Sequence, residues 1–189
     1  AIILPLLKLD KRYISATALI IGATAPDFEY FLKMDVNSIH SHTLAGLFYF
    51  DLPVTLVLSF LFHQVVKKNL IHNLPGFFQR RFYPVVSLDF KTHFRQRYGV
   101  ILVSALMGSA SHLFWDGFTH LDGYFVQHLP TVYQDRVFPF QGVRYPLWYA
   151  LQHISTFAGL TMLLLVIIMM KPYPVSVAKP NWKYWIVLF

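Results

Sequence analysis

Apolar residues run almost unbroken through positions 43–66, 98–119 and 146–170. Each stretch meets the roughly 20 residues that a helix needs to cross a bilayer. A fourth stretch, 13–32, has the length, but Pro26, Asp27 and Glu29 fall near its end. The pattern there predicts a helix that breaks close to one face of the membrane. Residues 182–189 begin another apolar run. The expectation is an all-α, polytopic transmembrane helical bundle of about four spans plus the start of another. With no internal repeat, low-complexity tract or long linker, residues 1–189 read as a single domain. The chain opens without methionine and stops inside an apolar run, and it is expected to continue past both ends.

Polar residues sort by loop. Between the first two strong spans, Lys67, Lys68, Arg80, Arg81, Lys91, Arg95 and Arg97 face a single acid, Asp89. Lys8, Lys11 and Arg12 precede the 13–32 stretch, and Lys171, Lys179 and Lys183 follow the last strong span. The positive-inside rule puts all three groups in the cytoplasm and the nearly neutral loops 33–42 and 120–145 outside. Phe77, Phe78, Phe82, Tyr83 and Phe90 make the basic loop an interfacial segment lying among lipid headgroups. Composition agrees with a lipid solvent: 56% of residues are hydrophobic, 17% aromatic and only 13% charged. There is no cysteine, so a metal site must be built from imidazole and carboxylate.

Ionisable groups inside a membrane cost ~2.5–3.5 kcal/mol each on insertion scales and therefore call for a functional explanation. Here they share a depth. At 1.5 Å per residue, Asp27 lies ~22 Å from Arg12 and His112 ~22 Å from Arg97, while Asp51 lies ~24 Å from Lys67 and His153 ~27 Å from Lys171. His112, Asp116 and His120 recur every fourth residue in SHLFWDGFTH, which stacks them on one helix face. Imidazole and carboxylate spaced in this way suit a divalent ion, zinc above all. APDFE adds Asp27 and the chain's only glutamate, Glu29; HSHT adds His40 and His42; and His153 lies at similar depth on the last strong span. The candidate metal ligands are therefore Asp27, Glu29, His40, His42, His112, Asp116, His120 and His153, some of them acting behind the ligands rather than on the ion. A hydrogen-bonded stripe joining helices is the competing account of the same residues. Asp51, beside Pro53, is expected to accept a hydrogen bond from a ligating histidine or from freed backbone. His63, His72 and His93 fall with the basic loop and are expected to be solvated or interfacial and to carry no chemistry, and His128 belongs to the outer loop.

The run of APDFEYF, HSHT, SHLFWDGFTH and LQHIST resembles a bacterial membrane family known as domain of unknown function 4184, over nearly the whole chain. It is also similar to inner-membrane proteins described as metal-dependent hydrolases, which carry Pro-Asp-x-Asp, a histidine before Ser or Thr, and Ser-His-x-x-x-Asp. Asp27, His42, His112 and Asp116 occupy the matching positions, and Glu29 replaces the second aspartate. A more distant similarity, through His-x-x-x-Asp on helices, is to zinc-dependent phospholipase C and related single-strand nucleases. Such families carry a further histidine just upstream of where this sequence starts, so one ligand is expected to be missing. The resemblance implies a multi-pass protein of the bacterial inner membrane that binds a divalent ion, zinc by preference. It further implies hydrolysis of a lipid or phosphoester reached from the extracytoplasmic side. The ion would make hydroxide near neutral pH, with Glu29 or Asp27 as general base.

Other function classes are weaker. The first alternative is a non-catalytic membrane protein whose polar cluster is a structural metal or polar core or carries protons or ions, and the second is binding of nucleic acid or another anionic partner. A conduction path needs polar groups through to the cytoplasmic side, yet 100–110 and 159–170 offer little beyond Ser104, Ser109 and Thr161. The formal charge of +7 suggests nucleic acid, but membrane topology accounts for it, and lipids are the expected partners. No Gly-x-Ser-x-Gly, cysteine nucleophile or glycine-rich phosphate loop supports covalent or nucleotide chemistry.

Overall fold

The computed structural model describes residues 2–10, 12–35 and 39–188. Lys11, one of the basic markers, lies outside them, as do Phe189 and positions 36–38 of the first outer loop. After a short 3-10 turn at Leu4–Lys8, the helices α1 (Ala16–Gly22) and α2 (Phe28–Lys33) are joined by a turn. Long helices follow as α3 (Leu47–Asn73), α4 (Gly76–Ser87) and α5 (Phe90–Thr119). Two short helices, α6 (Tyr124–His128) and α7 (Pro130–Tyr133), lead to strands β1 (Arg136–Phe140) and β2 (Val143–Pro146). Helix α8 (Leu147–Met169) and the terminal α9 (Trp182–Leu188) complete the chain.

Among the described residues, three helical stretches are long and apolar enough to cross a membrane: α3, Phe90–His128 and α8. The 13–32 stretch is not one helix. Pro26, which cannot donate to a helical ladder, falls in the turn after Gly22, and α1 alone is a rod of only ~10 Å. A fourth span is thus not established, although the break comes where the acids predicted it. The architecture is also not purely helical. β1 and β2 form an antiparallel hairpin within the stretch expected to be a loop, turning at Gln141 and Gly142, both at positive φ. That backbone is what a tight primed hairpin turn requires.

Small residues let α1 lie directly on α5. A Cβ on Gly22 would sit 2.4 Å from the carbonyl oxygen of Ala105, and one on Gly108 2.4 Å from that of Leu19. Ala18, Ile101 and Ala105 fill the buried contact between these helices and α3, while Leu19 packs with Ile3, Ile14 and Met107. Hydrogen bonds pin it: Ser15 N–H donates to Ser104 Oγ at 2.9 Å, and Ser109 Oγ to the Gly22 carbonyl at 2.9 Å. This is small-residue packing with hydroxyl cross-links, as membrane helices use in the absence of a hydrophobic drive between them. At its other end α5 starts on Asp89, whose carboxylate accepts from the backbone of Lys91 and Thr92. It bends at Arg97, so its apolar span begins at Tyr98 as its sequence predicts.

Gly108→Val should separate α1 from α5 and cost at least about 1–3 kcal/mol, the usual range for overpacking. Gly99→Val, where a Cβ meets nothing within 4 Å, should be neutral. Thermal unfolding of the two variants in detergent, followed by light scattering and size exclusion, compares them directly. Equal midpoints would remove the close approach as a determinant of the fold.

Candidate metal centre

The turn after α1 carries Asp27, the loop before α3 carries His42, and the last turns of α5 carry His112 and Asp116. All four meet at the end of the bundle opposite the basic loop. Nε2 of His112 lies 3.0 Å from Asp116 Oδ2 and 3.4 Å from Asp27 Oδ1. Nε2 of His42 lies 3.4 Å from the same Asp116 oxygen and 3.9 Å from the same Asp27 oxygen. One ligand atom each from Asp27, His42 and His112 fall within 4.8 Å of one another. A tetrahedral ion with bonds near 2.05 Å separates its ligand atoms by ~3.3 Å, inside the range of these pairs.

The rings are held from behind. His112 Nδ1 lies 2.8 Å from the Ala23 carbonyl, which can only accept, so Nδ1 carries the proton and Nε2 faces the cluster. Nε2 is buried and, despite its proximity to Asp116, lacks the alignment of a hydrogen bond. His42 Nδ1 pairs with Ser41 Oγ at 2.9 Å, and its ring stacks on Tyr30. Partners on the far nitrogen that orient the near one are the arrangement found behind metal-bound histidines. Asp27 is the open member: 58% of its side chain is exposed, against 15–20% for the other three.

The remaining predicted residues take other places. Glu29 is buried and accepts backbone N–H groups from Ile39 (3.0 Å), His40 (3.0 Å) and Ser41 (2.7 Å), with Lys33 Nζ at 3.4 Å. It thereby holds the loop that delivers His42. Burial pushes the Glu29 carboxyl up, but the N–H groups of Ile39, Ser41 and His40 more than reverse this and hold it well below the usual range. His120 stands at the margin, with Nδ1 3.6 Å from Asp116 Oδ1. His40 is exposed and pairs through Nδ1 with the Tyr49 hydroxyl at 3.0 Å. His153 is exposed on α8, bonded back to the Tyr149 carbonyl and packed on the Tyr149 ring. The structure does not bring it to the cluster. Two expectations are corrected. Asp51 is fully buried with neither carboxylate oxygen hydrogen-bonded, and His63 is buried rather than solvated, with its ring flat against Phe90.

Because Glu29 titrates below its ordinary value of 4.5 when folded, its contribution is complete at neutral pH and is lost as pH falls below that value. Glu29→Gln places an amide donor against backbone donors, so it should cost about 2 kcal/mol or more at pH 7. The variant should also lose less than the parent when unfolding midpoints are compared between about pH 5 and pH 3. A variant as stable as the parent at pH 7 would show that the carboxylate does not hold the loop.

No curated protein and no solved structure matches the chain. A family model matches residues 1–189, its full extent here, and the chain belongs to that family, described as a domain of unknown function (DUF4184).

Proposed function

We propose that the chain is a membrane-embedded, metal-dependent hydrolase whose ion is held by His42, His112, Asp116 and Asp27. The observation that carries this reading is the convergence of two imidazole Nε2 atoms and two carboxylates, each ring tethered through its other nitrogen. Zinc fits the donor set, since two nitrogens and two carboxylate oxygens complete a tetrahedron or leave room for a fifth group. A divalent ion there supplies Lewis acidity and a route to hydroxide near neutral pH.

The chain's own residues then divide the work. His112 and Asp116 share one face of α5 and form the rigid half of the site; His42 arrives on the loop that Glu29 anchors. Asp27 is exposed and is the better general base of the two acids, because both oxygens of Glu29 are engaged by backbone. Asp116 lies between His112, His42 and the outlying His120, and so can pass a proton toward the surface. The arrangement opens at the end of the bundle away from the basic loop. By the positive-inside rule that end is extracytoplasmic, and the membrane is the bacterial inner one. A lipid or other phosphoester whose headgroup reaches this level is the substrate class that fits, and the motif resemblance to inner-membrane hydrolases supports the same choice.

Metal content by mass spectrometry on detergent-purified protein tests the reading. Near-stoichiometric metal is expected in the parent, with at least about 100-fold weaker retention in His112→Ala and Asp116→Ala variants that remain monodisperse. Hydrolysis of lipid phosphoesters should fall with the metal. A parent that holds none after reconstitution with zinc, manganese or magnesium would reduce the cluster to an ion-paired core.

A further inference from the structure

Asp51, Thr55, Ser59, His63 and Lys67 stand at every fourth position of α3, and all five are buried. In a straight α-helix a four-residue step drifts by about 40°, so five such positions would wrap well around the rod. The wider π turn at Phe62–Val66 rotates less per residue and takes part of that drift back between Ser59 and Lys67. The result is a polar file along the interior of the bundle, facing α1 and α5. From Asp51 to Lys67 it rises ~24 Å, most of a ~30 Å hydrocarbon core.

Its neighbours are polar too. Thr17 Oγ1 of α1 lies 3.0 Å from His63 Nε2, and the buried Ser15 and Ser104 bond each other beside it. The electrostatic neighbours of Asp51 are His42, His112 and Glu29; those of His63 are Lys67 and His93. Lys67 Nζ, whose own charged neighbours are Asp89 and Lys68, donates to the Leu88 carbonyl at the basic end. One end of the file therefore lies in the field of the metal-ligand cluster and the other reaches the basic loop.

Helix adhesion accounts for only part of this. Thr55 and Ser59 donate to the carbonyls of Asp51 and Thr55 on their own helix, which satisfies their protons and leaves their oxygens free to accept. Both oxygens of Asp51 and Nδ1 of His63 are buried without a hydrogen-bond partner. Such groups cost about 1–3 kcal/mol each unless water reaches them. Water bridging stations ~6 Å apart along the helix would satisfy these groups.

We propose that this file is a hydrated proton path between the cluster and the basic end of the bundle, with Asp51 and His63 as its proton-exchanging stations. A proton arriving at His63 Nδ1 makes the imidazolium, and loss of the Nε2 proton toward Thr17 and water returns it to neutral. Asp51 accepts one proton from water on one side and releases one on the other. No electron moves and no group is consumed. The path is thus a further activity, with its Asp51 end in the field of His42 and His112.

Proteoliposomes with an entrapped pH-sensitive dye test it, given a pH step with valinomycin and potassium present to cancel charge. Parent vesicles should relax at least about threefold faster than protein-free vesicles, with the excess lost in Asp51→Asn and His63→Gln, because ionisable intramembrane residues carry proton relays. Thr161→Ala on α8, outside the file, should keep the parent rate. Metal content measured on the same preparations separates this outcome from that of the hydrolase reading. Parent vesicles no faster than empty ones, or monodisperse Asp51→Asn and His63→Gln proteins at the parent rate, would overturn the path. Should Asp51→Asn fail to fold, His63→Gln alone decides.

Discussion

The carbonyls of Gly22 and Ala23, at the end of α1, meet Ser109 Oγ and His112 Nδ1 rather than water. A helix end shielded from water leaves carbonyls that a neighbouring side chain must satisfy. Gly22 and Gly108 make that reach possible, because any side chain there would strike the facing backbone. The helix end is thereby closed, α1 is fixed against α5, and the His112 proton is fixed on Nδ1 with Nε2 turned to the cluster. The packing of α1 and the tautomer of His112 depend on the same bond, and a ring merely packed in place would have no comparable constraint on its tautomer.

From that anchor the chain is led to the second imidazole. Pro26 ends the possibility of a continued helix, and the turn sets Asp27 at the His112 ring. Two residues later Glu29 turns inward and gathers the N–H groups of residues 39–41, which puts His42 opposite His112 with the rings edge to face. A carboxylate that accepts several backbone donors is both strongly held and strongly directional. The spacing Pro26-Asp27-Phe28-Glu29 thus serves two purposes, one acid for the cluster and one for the loop that completes it.

The spans were legible because ~20-residue apolar runs have few other readings, and the pair His112 and Asp116 was legible because a four-residue spacing forces a shared face. The extent of the site was less so. His40, Glu29 and His153 have the right chemistry at the right depth, and depth along a helix axis says nothing of rotation about it. Glu29 faces backbone, and His153 faces away on a helix that touches α5 through Trp115 and Ser155. The hairpin escaped because β1 and β2 are only five and four residues long and set by turn geometry at Gln141 and Gly142. The file on α3 is the instructive miss. Its four-residue repeat is present in the sequence, but His63 reads there with the basic loop.

The two accounts of the cluster both turn on charge. Asp27 and Asp116 place two negative charges against two imidazoles in a half-buried setting, where an unbalanced charge is costly. Two protons, one on each ring, would neutralise it, and so would one divalent ion. The proton account requires an N–H on His112 Nε2 aimed at a carboxylate, since Nδ1–H is already given to Ala23. Nε2 comes within 3.0 Å of Asp116 but without hydrogen-bond alignment, leaving a buried nitrogen with no partner of its own. A lone pair directed between two carboxylates and a second imidazole is what the ion account requires. An ion there is the proposed reading; an N–H and a lone pair leave Nε2 along the same axis, so two imidazolium–carboxylate pairs would neutralise the same charge.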